Sequence, residues 1–441
     1  MSMRYLGGVI SSTAVVPTTA SAPGVWTLEQ AQYYLSQNSW PVTDLHWIAG
    51  MSQVGGSIYS WGLDTDAYGN VYITGSIAQA GASYQGVLIA KFNQGGVLQW
   101  VKEIATDSFG YTVKVSGGNL LVFGNYYSAS KAIGLKTTCS VNGVISAKKG
   151  LPSSGNSIYL NYSAIDSSSN VYAGGEYVEG SYASYGLYTV KYDSSGTIVW
   201  QKLLYNVSSS KDVAVDSNGN VYNVGNSSAG MAFIKYNSSG SLQWQKAITN
   251  NTYPSNHAST GLAIDSSDNV YVSGSVQAIS GGSPYLLFIS KFNSAGTLQW
   301  QRMIDSVSAN WSKITIDTSN NIYVTGANFI AKYNSSGVIQ WQRSLTNASY
   351  MGAIKWQNNS IYISGSSTGL VAKLADNGSG TGTYTANGVS YTYAVSTNTE
   401  IAGYLTVSTT SYTDSSLSLT ETTPTLYELT PIVSAGTAIV N

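Results

Sequence analysis

The chain has 441 residues, of which only 9% are charged, against about 25% in an ordinary soluble domain. Its 20 basic and 21 acidic residues leave a net charge of -1, which argues against nucleic-acid binding because phosphate contacts need a basic surplus. Glycine, serine, threonine, asparagine and 34 tyrosines replace the charge, a composition that favours strands and turns. One cysteine and two histidines offer no disulfide framework and little for catalysis or metal binding, and we expect no cofactor. The sequence has no apolar run of about 18 residues, so it predicts no membrane-spanning helix.

Residues 1–43 predict a flexible leader. Its apolar run is broken by glycine and serine between Gly7 and Ser12, which is unfavourable for a secretory signal peptide, so we expect the leader to be retained. Thr27 and Gln30 have the spacing of a capping box and predict a short helix. Two roles stay open for this helix: packing on the rim of the fold, or anchoring to a neighbouring subunit.

Two sequence blocks recur along residues 44–375. The first is an Asp-x-x-x-Asn turn followed by Val-Tyr or Ile-Tyr and then a glycine. The second leads from a lysine through a glycine-containing turn to a tryptophan. The aspartates and tryptophans that define the clearest copies are Asp166, Asp216, Asp265, Asp317, Trp100, Trp200, Trp244, Trp300 and Trp341. Weaker copies near 113–149 and 352–375 give seven units of about 40–52 residues, a length typical of four-stranded propeller blades. The sequence therefore predicts an all-β fold, a seven-bladed β-propeller over residues 44–375.

The ends of the repeat region predict how the ring closes. The seventh unit lacks a tryptophan-bearing fourth strand, whereas residues 44–52, with Trp47, resemble the fourth strands of the other units. We therefore predict that residues 44–52 pair with the 352–375 unit, since a closed ring leaves no unpaired terminal blade.

The turn aspartates and the lysines have structural explanations. In an Asp-x-x-x-Asn turn the aspartate bonds to its own backbone and the asparagine tolerates a left-handed conformation. A calcium loop is disfavoured because each turn has one charge and no later bidentate glutamate. One lysine recurs in the same register of all seven units, which favours a structural role such as pairing with a turn aspartate. We therefore predict no metal site, although calcium at a loop stays open.

The repeat resembles a known family. The pattern Asp-Ser-x-Gly-Asn-Val-Tyr-Val-x-Gly, followed by Ala-Lys-hydrophobic-Asn-x-x-Gly-x-Leu-x-Trp, is similar to the bacterial beta-propeller repeat often labelled SBBP, over residues 45–375. This resemblance implies the fold and leaves the activity open, because propellers host many functions. The Gly-to-Trp spacing is also similar to the tryptophan-docking motif of quinoprotein dehydrogenases. That second resemblance implies that the repeated tryptophans, Trp47 included, pack between neighbouring blades.

The flanks resemble virion proteins of marine bacteriophages. Tyr5-Leu-Gly-Gly-Val-Ile-Ser-Ser-Thr and Gly24-Val-Trp-Thr-Leu are similar to the leaders of such proteins, and Gly378-Ser-Gly-Thr-Gly-Thr-Tyr is similar to phage structural sequences, as is Ser411-Tyr-Thr-Asp-Ser-Ser. This resemblance implies a structural protein located on the virion, whose residues 1–43 contact other virion subunits.

Residues 376–441 form a third predicted region, a charge-poor, Ser/Thr-rich β tail without lysine or arginine. Alternating apolar residues near 404–408 and 416–420 predict strands, while Pro424 and Pro431 restrict them to edges. Two arrangements stay open: a tail that wraps or pairs with another chain, and a small sandwich against the side of the propeller.

Ligand contacts are expected in the variable loops between second and third strands. Segments 77–85, 176–185 and 276–285 hold serine, glycine, alanine and tyrosine, a composition typical of recognition surfaces. The alternative is solvent-facing filler. The candidate contacts are Tyr84, Tyr182, Tyr185 and Tyr285.

These features predict a phage structural protein without enzymatic activity. We expect a tail fibre or fibre-like appendage that presents the propeller to a host-surface glycan or protein, with a homo-oligomer among the open states. Three alternatives remain: a capsid or tail decoration protein without receptor binding, a bacterial surface or secreted scaffold, and, least favoured, a polysaccharide-degrading enzyme.

Overall fold

The structure is a computed structural model that describes residues 46–440, with gaps at 54–55, 79–84, 106, 129–130, 153–154, 181–183, 229, 250–256, 278–284, 305–306, 308–311, 349, 366–368, 403–405, 410–413, 417–426 and 430–432. Every helix or strand within these described residues is a β-strand. None of them forms a helix long and apolar enough to span a membrane. The predicted leader and its short helix at Thr27 lie outside the described residues.

The strands follow the repeat, four to a blade. Strand β1 spans His46–Gln53 and precedes the first complete blade. Blade 1 holds β2 (Ser57–Thr65), β3 (Val71–Ala78), β4 (Gly86–Phe92) and β5 (Leu98–Ala105). Blade 2 holds β6 (Ser108–Ser116), β7 (Asn119–Ser128), β8 (Lys131–Ser140) and β9 (Ile145–Leu151). Blade 3 holds β10 (Ser157–Ile165), β11 (Val171–Glu179), β12 (Ser184–Tyr192) and β13 (Ile198–Tyr205). Blade 4 holds β14 (Val207–Val215), β15 (Val221–Ser227), β16 (Gly230–Tyr236) and β17 (Leu242–Thr249).

The later blades repeat this plan. Blade 5 holds β18 (His257–Ile264), β19 (Val270–Gln277), β20 (Tyr285–Phe292) and β21 (Leu298–Ile304). Blade 6 holds β22 (Ile314–Ile316), β23 (Ile322–Thr325), β24 (Phe329–Tyr333) and β25 (Ile339–Leu345). Blade 7 holds β26 (Met351–Gln357), β27 (Ser360–Gly365) and β28 (Val371–Ala375). The tail holds β29 (Gly382–Ala386), β30 (Val389–Val395), β31 (Glu400–Ala402), β32 (Thr406–Thr409), β33 (Asp414–Ser416), β34 (Tyr427–Leu429) and β35 (Val433–Val440).

The seven blades form a ring of antiparallel sheets, and the predicted seven-bladed propeller is confirmed. Blade 7 takes its fourth strand from the other end of the propeller region: β1 pairs with β28, placing Trp47 opposite Lys373 and Ala49 opposite Val371. The predicted closure is therefore confirmed. The first strands of successive blades contact one another around the axis, so they line the central channel.

The tail wraps the rim of its own propeller. Strands β30, β31, β32 and β33 pair antiparallel with the fourth strands of blades 6, 5, 4 and 3 in turn. Strand β34 then pairs with β5 of blade 1, and β35 pairs with β1 along eight residues, from His46 opposite Val440 to Gln53 opposite Val433. The described tail thus adds a fifth strand to six blades and visits them against the direction of the chain. Such pairing covers outer edges that would otherwise offer unpaired backbone groups.

The Asp-x-x-x-Asn turns are closed by the aspartate itself. Asp166 Oδ1 accepts hydrogen bonds from the backbone N–H groups of Ser168 and Asn170, both at 2.9 Å. Its Oδ2 accepts from the Asn170 side chain at 2.8 Å and from the Tyr172 hydroxyl at 3.0 Å. The left-handed residue is Ser169 (φ 62°), so the expectation that the asparagine takes this conformation was wrong. The same carboxylate contacts are made by Asp66, Asp216, Asp265 and Asp317.

These hydrogen bonds decide the charge of the turn. Burial acts to raise the pKa of Asp166, but the hydrogen bonds from Asn170 and Tyr172 outweigh burial and lower it. Asp265 shows the same balance and has a lowered pKa for the same reason. Both oxygens of each carboxylate are thus occupied by donors of the turn itself.

The repeated tryptophans lie between neighbouring blades. The Trp200 indole N–H donates to the Ser238 carbonyl in the turn of the next blade at 3.2 Å. Gly240 of that turn has a φ of 82°, and a Cβ added to it would lie 3.0 Å from the Trp200 ring. Glycine is therefore required there by both space and backbone conformation. Corresponding bonds to the next blade are donated by Trp47, Trp100, Trp300 and Trp341.

Trp244 uses aromatic contacts in the same position. Its ring packs edge-on against Phe233, with ring centroids 4.8 Å apart, and lies 5.9 Å from Tyr222. The repeated lysine lies beside these rings: Lys235 Nζ is 3.9 Å from Asp216 Oδ2 and donates to the Ser294 carbonyl of the next blade at 3.0 Å. These contacts join each blade to the following one.

Candidate binding site at the mouth of the central channel

A β-bulge occurs at the same place in the first strand of most blades. In blade 1, Ser60 lies opposite Gly75 and Gly62 opposite Thr74, so Trp61 is the extra residue. A Cβ at Gly75 would lie 1.7 Å from the Tyr59 carbonyl oxygen, which explains why this position of the repeat is glycine. The extra residues at the corresponding bulges of blades 2, 3, 4 and 7 are Tyr111, Asn161, Lys211 and Gly352.

The bulges turn side chains toward the channel, as bulges beside functional sites commonly do. Trp61, Tyr111, Asn161 and Gly352 all line one cavity of about 480 Å³. This volume lies within the range of about 300–1,000 Å³ that is typical of ligand sites. The remaining lining residues are Tyr59, Phe109, Tyr162, Lys313 and Tyr350.

Four aromatic residues of blades 1 and 2, Tyr59, Trp61, Phe109 and Tyr111, form what we call the aromatic wall. Trp61 and Tyr111 stack across the blade boundary, with ring centroids 5.1 Å apart and planes 21° apart. Tyr59 stacks on Trp61 at 6.0 Å, and Phe109 on Tyr111 at 6.2 Å. All four are only partly buried. The wall is therefore a continuous aromatic surface that borders the cavity.

The other lining residues supply polar groups, and we call Asn161, Tyr162 and Lys313 the polar wall. Lys313 Nζ lies 4.3 Å from the centre of the Tyr162 ring and 3.8 Å from Asp212 Oδ2. Burial lowers the pKa of Lys313, and the Asp212 carboxylate opposes part of this effect. Burial also raises the pKa of Tyr162, so its hydroxyl stays protonated. Asn161 Oδ1 is buried and has no hydrogen-bond partner among the described residues, which leaves an acceptor available at the cavity.

A second cavity of about 310 Å³ shares Trp61, Tyr111, Asn161 and Lys313 with the first and continues along the first strands. It adds Lys114 and the Asp212 carboxylate to the lining. The two cavities together join an aromatic mouth to a charged interior. Among the described residues, no group of three or more His, Cys, Asp or Glu side chains is placed to hold a metal ion.

The loop tyrosines named from the sequence are only partly described. Tyr84 and Tyr182 lie outside the described residues, and Tyr285 begins β20. Tyr185 lies opposite Val178, which in turn lies opposite Ser157 at the start of β10. Tyr185 is 38% exposed and sits at the end of its blade where the first strand begins. This is the end at which Tyr59 and Phe109 lie in their own blades. The role of these loops in binding stays a prediction.

Sequence reasoning missed the aromatic wall. The available signal was the pair of aromatic residues two positions apart in the first strands of units 1 and 2, Tyr59 with Trp61 and Phe109 with Tyr111. Residues two apart on a regular strand share one face, but the bulge that makes Trp61 and Tyr111 the extra residues of their strands was not predicted from the sequence.

The comparisons with known proteins show the fold. No protein-family model matches the chain, and no curated protein matches its sequence. The chain is similar to the solved structure of U3-55K, at 8% identity and a TM-score of 0.51 over 74% of this chain and 98% of that one. It is equally similar to the RRP9 WD40 repeats, at 8% identity and a TM-score of 0.51 over 74% and 97%. The polysaccharide lyase Uly1 is also similar, at 8% identity and a TM-score of 0.44 over 72% of this chain and 90% of that one.

Proposed function

We propose that this chain is a sugar-binding β-propeller that acts without turnover and holds a glycan at the mouth of its central channel. The observation that supports this proposal is the stacked pair of Trp61 and Tyr111 beside a cavity of about 480 Å³. Large flat aromatic surface with a few convergent polar groups is the usual composition of a specific small-molecule site. The C–H face of a sugar ring packs on such a surface.

The polar wall completes the match to a sugar. The unpaired Asn161 Oδ1 accepts a hydrogen bond from a ligand hydroxyl, which removes the cost of leaving a buried acceptor unsatisfied. Lys313, held beside Tyr162 and Asp212, offers ammonium hydrogens to ligand oxygens. Stacking on one side and hydrogen bonding on the other fix both the plane and the rotation of the ring.

The contacts of the cavity carboxylate support binding without catalysis. Asp212 Oδ2 accepts a hydrogen bond from the Leu262 N–H at 3.0 Å and lies 3.8 Å from Lys313. Asp212 Oδ1 accepts from the Val213 N–H at 2.9 Å. Both oxygens of Asp212 are therefore already engaged by groups of the protein, which leaves the carboxylate poorly placed to take a proton from a ligand.

The flanks supply the biological setting of the proposal. Their resemblance to marine phage virion proteins supports a tail fibre, or a fibre-like appendage, in which residues 1–43 contact other virion subunits and the propeller meets a host-surface glycan. The decoration protein and the bacterial scaffold remain the alternatives. Labelling the protein on intact particles, and locating the label by electron microscopy, separates a fibre from a capsid decoration and both from a bacterial protein.

The test of sugar binding compares matched variants on a panel of immobilised bacterial and algal oligosaccharides. We expect the wild-type chain to bind at least one of these oligosaccharides. The Trp61→Ala variant should lose this binding, and the Tyr68→Ala variant should bind as well as the wild type. Tyr68 is the control because it is 49% exposed and lies in the Asp-x-x-x-Asn turn at the other end of blade 1. Equal retention by Trp61→Ala, or the release of reducing ends from a bound polymer, contradicts the proposal.

A further inference from the structure

The channel behind the aromatic wall carries an excess of positive charge. Two ammonium groups, from Lys114 and Lys313, line the second cavity together with the single carboxylate of Asp212. Neither lysine belongs to the two repeat positions that hold most of the chain's basic residues. Only 9% of the residues of this chain are charged, so a surplus of positive charge inside a concave site is unusual for it.

The positive groups differ in how they are paired. Asp212 is shared between Lys313 and two backbone N–H groups. Lys114 lies in β6, where its backbone pairs with β7, and its side chain makes no hydrogen bond or ion pair with the described residues. Its neighbour Val115 donates its N–H to Asp64, and Asp64 is in turn paired with Lys355, so this second channel carboxylate is already occupied.

The lysines also act on one another. Burial is the largest cause of the lowered pKa of Lys313, Asp212 opposes it, and the charges of Lys211 and Lys114 lower it further. The two like charges are therefore close enough to Lys313 to repel it. An anion in the cavity relieves this repulsion and forms charge-assisted hydrogen bonds, which are stronger than neutral ones.

We infer, on the basis of the proposed function, that the glycan is acidic and that its oxyanion group contacts Lys114 and Lys313 while a ring of the same glycan stacks on the aromatic wall. A uronate carboxylate and a sulfate ester both present this chemistry. The ligand class is thus a charged polysaccharide and not a neutral one, and the non-repeat lysines determine this specificity.

Isothermal titration calorimetry with three matched galactose-based oligosaccharides tests the inference: one neutral, one with galacturonate in place of galactose, and one sulfated. We expect at least one acidic ligand to bind about tenfold more tightly than the neutral ligand, because hydrogen bonds to a charged group are stronger than those between neutral groups. The acidic ligand that shows the preference identifies which oxyanion the site takes.

The variants locate the preference. Lys114→Gln and Lys313→Gln should each reduce it to about the level of the neutral ligand, while Lys114→Arg should retain it. The control is Lys131→Gln, since Lys131 lies at the start of β8 and donates to the Gly180 carbonyl. Thermal unfolding of each variant shows whether it is folded.

Equal affinity for the neutral and acidic ligands overturns this inference and leaves the proposed function standing. An acidic preference that survives both glutamine substitutions in folded variants also overturns it. Failure of all three ligands with the wild-type chain, together with an empty result on the wider oligosaccharide panel, overturns the proposed function itself.

Discussion

The indole of Trp61 lies nearly parallel to the phenol of Tyr111, with ring centroids 5.1 Å apart, although the two residues belong to different blades. Both are the extra residues of corresponding β-bulges. The stacked pair beside the cavity is therefore built on a backbone irregularity that recurs in most blades and carries an aromatic residue in blades 1 and 2.

The stacked pair should behave as one unit. We expect Trp61→Ala and Tyr111→Ala each to weaken glycan binding about 30-fold, as expected for an aromatic contact that contributes about 2 kcal/mol to binding. The double variant should lose less than the sum of the single losses, because removing either ring already breaks the pair. Calorimetric titration of the three variants measures this coupling. Strict additivity of the two losses would show that the rings act independently.

The aspartates of the Asp-x-x-x-Asn turns should contribute more to the free energy of unfolding than the exposed aspartate of a hairpin turn. In Asp265→Asn, an amide nitrogen in place of Oδ2 cannot accept the hydrogen bonds from the Asn269 side chain and the Tyr271 hydroxyl, so we expect a loss of about 1–3 kcal/mol in the free energy of unfolding. Urea denaturation measures the loss.

The matched control is Asp193→Asn in the hairpin turn between β12 and β13. Asp193 Oδ1 accepts from the Ser195 and Thr197 N–H groups, and Asn237 makes the same contacts in the next blade. This control should therefore be nearly neutral, and a cost as large as that of Asp265→Asn would contradict the distinction between the two turns.

The same aspartates predict an acid-dependent loss of stability. The pKa of Asp166 and that of Asp265 are lowered in the folded protein, so the unfolded chain binds more protons. Their contribution is complete above the unfolded pKa of about 3.9 and is lost as the pH falls through the lower folded value. Urea midpoints between pH 7 and pH 2.5 should show the difference between wild type and Asp265→Asn shrinking below about pH 4. If the difference in urea midpoint stays constant across this range, the turn aspartates do not cause the loss of stability in acid.

Glycine at the bulge should tolerate no side chain. Gly75→Ala places a Cβ 1.7 Å from the Tyr59 carbonyl, so we expect a loss of about 3 kcal/mol in stability together with weaker glycan binding, since the displaced strand carries Trp61. Gly95→Ala is the control, because its Cβ would lie 3.5 Å from Asn93. Thermal unfolding and titration test both effects. Unchanged glycan binding by a folded Gly75→Ala variant would show that binding does not depend on the geometry of the bulge.

The last tail strand should stabilise ring closure. Deleting residues 433–441 removes the eight-residue partner of β1, which carries Trp47 into blade 7. We expect the unfolding midpoint to fall by about 5 °C or more, and deletion of Asn441 alone to have no effect. Differential scanning calorimetry makes the comparison. Equal midpoints for the two truncations would show that the rim strands add nothing to closure.

The fold could be predicted from the sequence because its cause is local and repeated. Turn aspartates such as Asp166 close their turns with contacts no further than Tyr172, six residues away. Ring closure was predictable for the same reason, since Trp47 stands in a copy of the repeated fourth strand. Every unit carries the same turn and strand motifs, so a weak motif in one unit can be recognised from the clearer copies in the others.

The candidate site could not be predicted in the same way, because it consists of departures from the repeat. Trp61, Tyr111 and Lys313 occupy channel positions where the sequence varies from blade to blade. Their convergence depends on which blades are neighbours and on the bulges that turn the side chains inward. The sequence predicts the strands of the tail only in part, since their partners lie as far away along the chain as β5 of blade 1.

The path of the tail has a consequence for how the protein is made. Each of its strands fits the outer edge of a blade that the ribosome has already produced, and β30 to β33 meet blades 6 to 3 in the reverse of their order of synthesis. A rim strand therefore finds its partner only where that blade has already formed its fourth strand. A blade that misfolds would therefore leave its segment of the tail unpaired and accessible to chaperones or proteases.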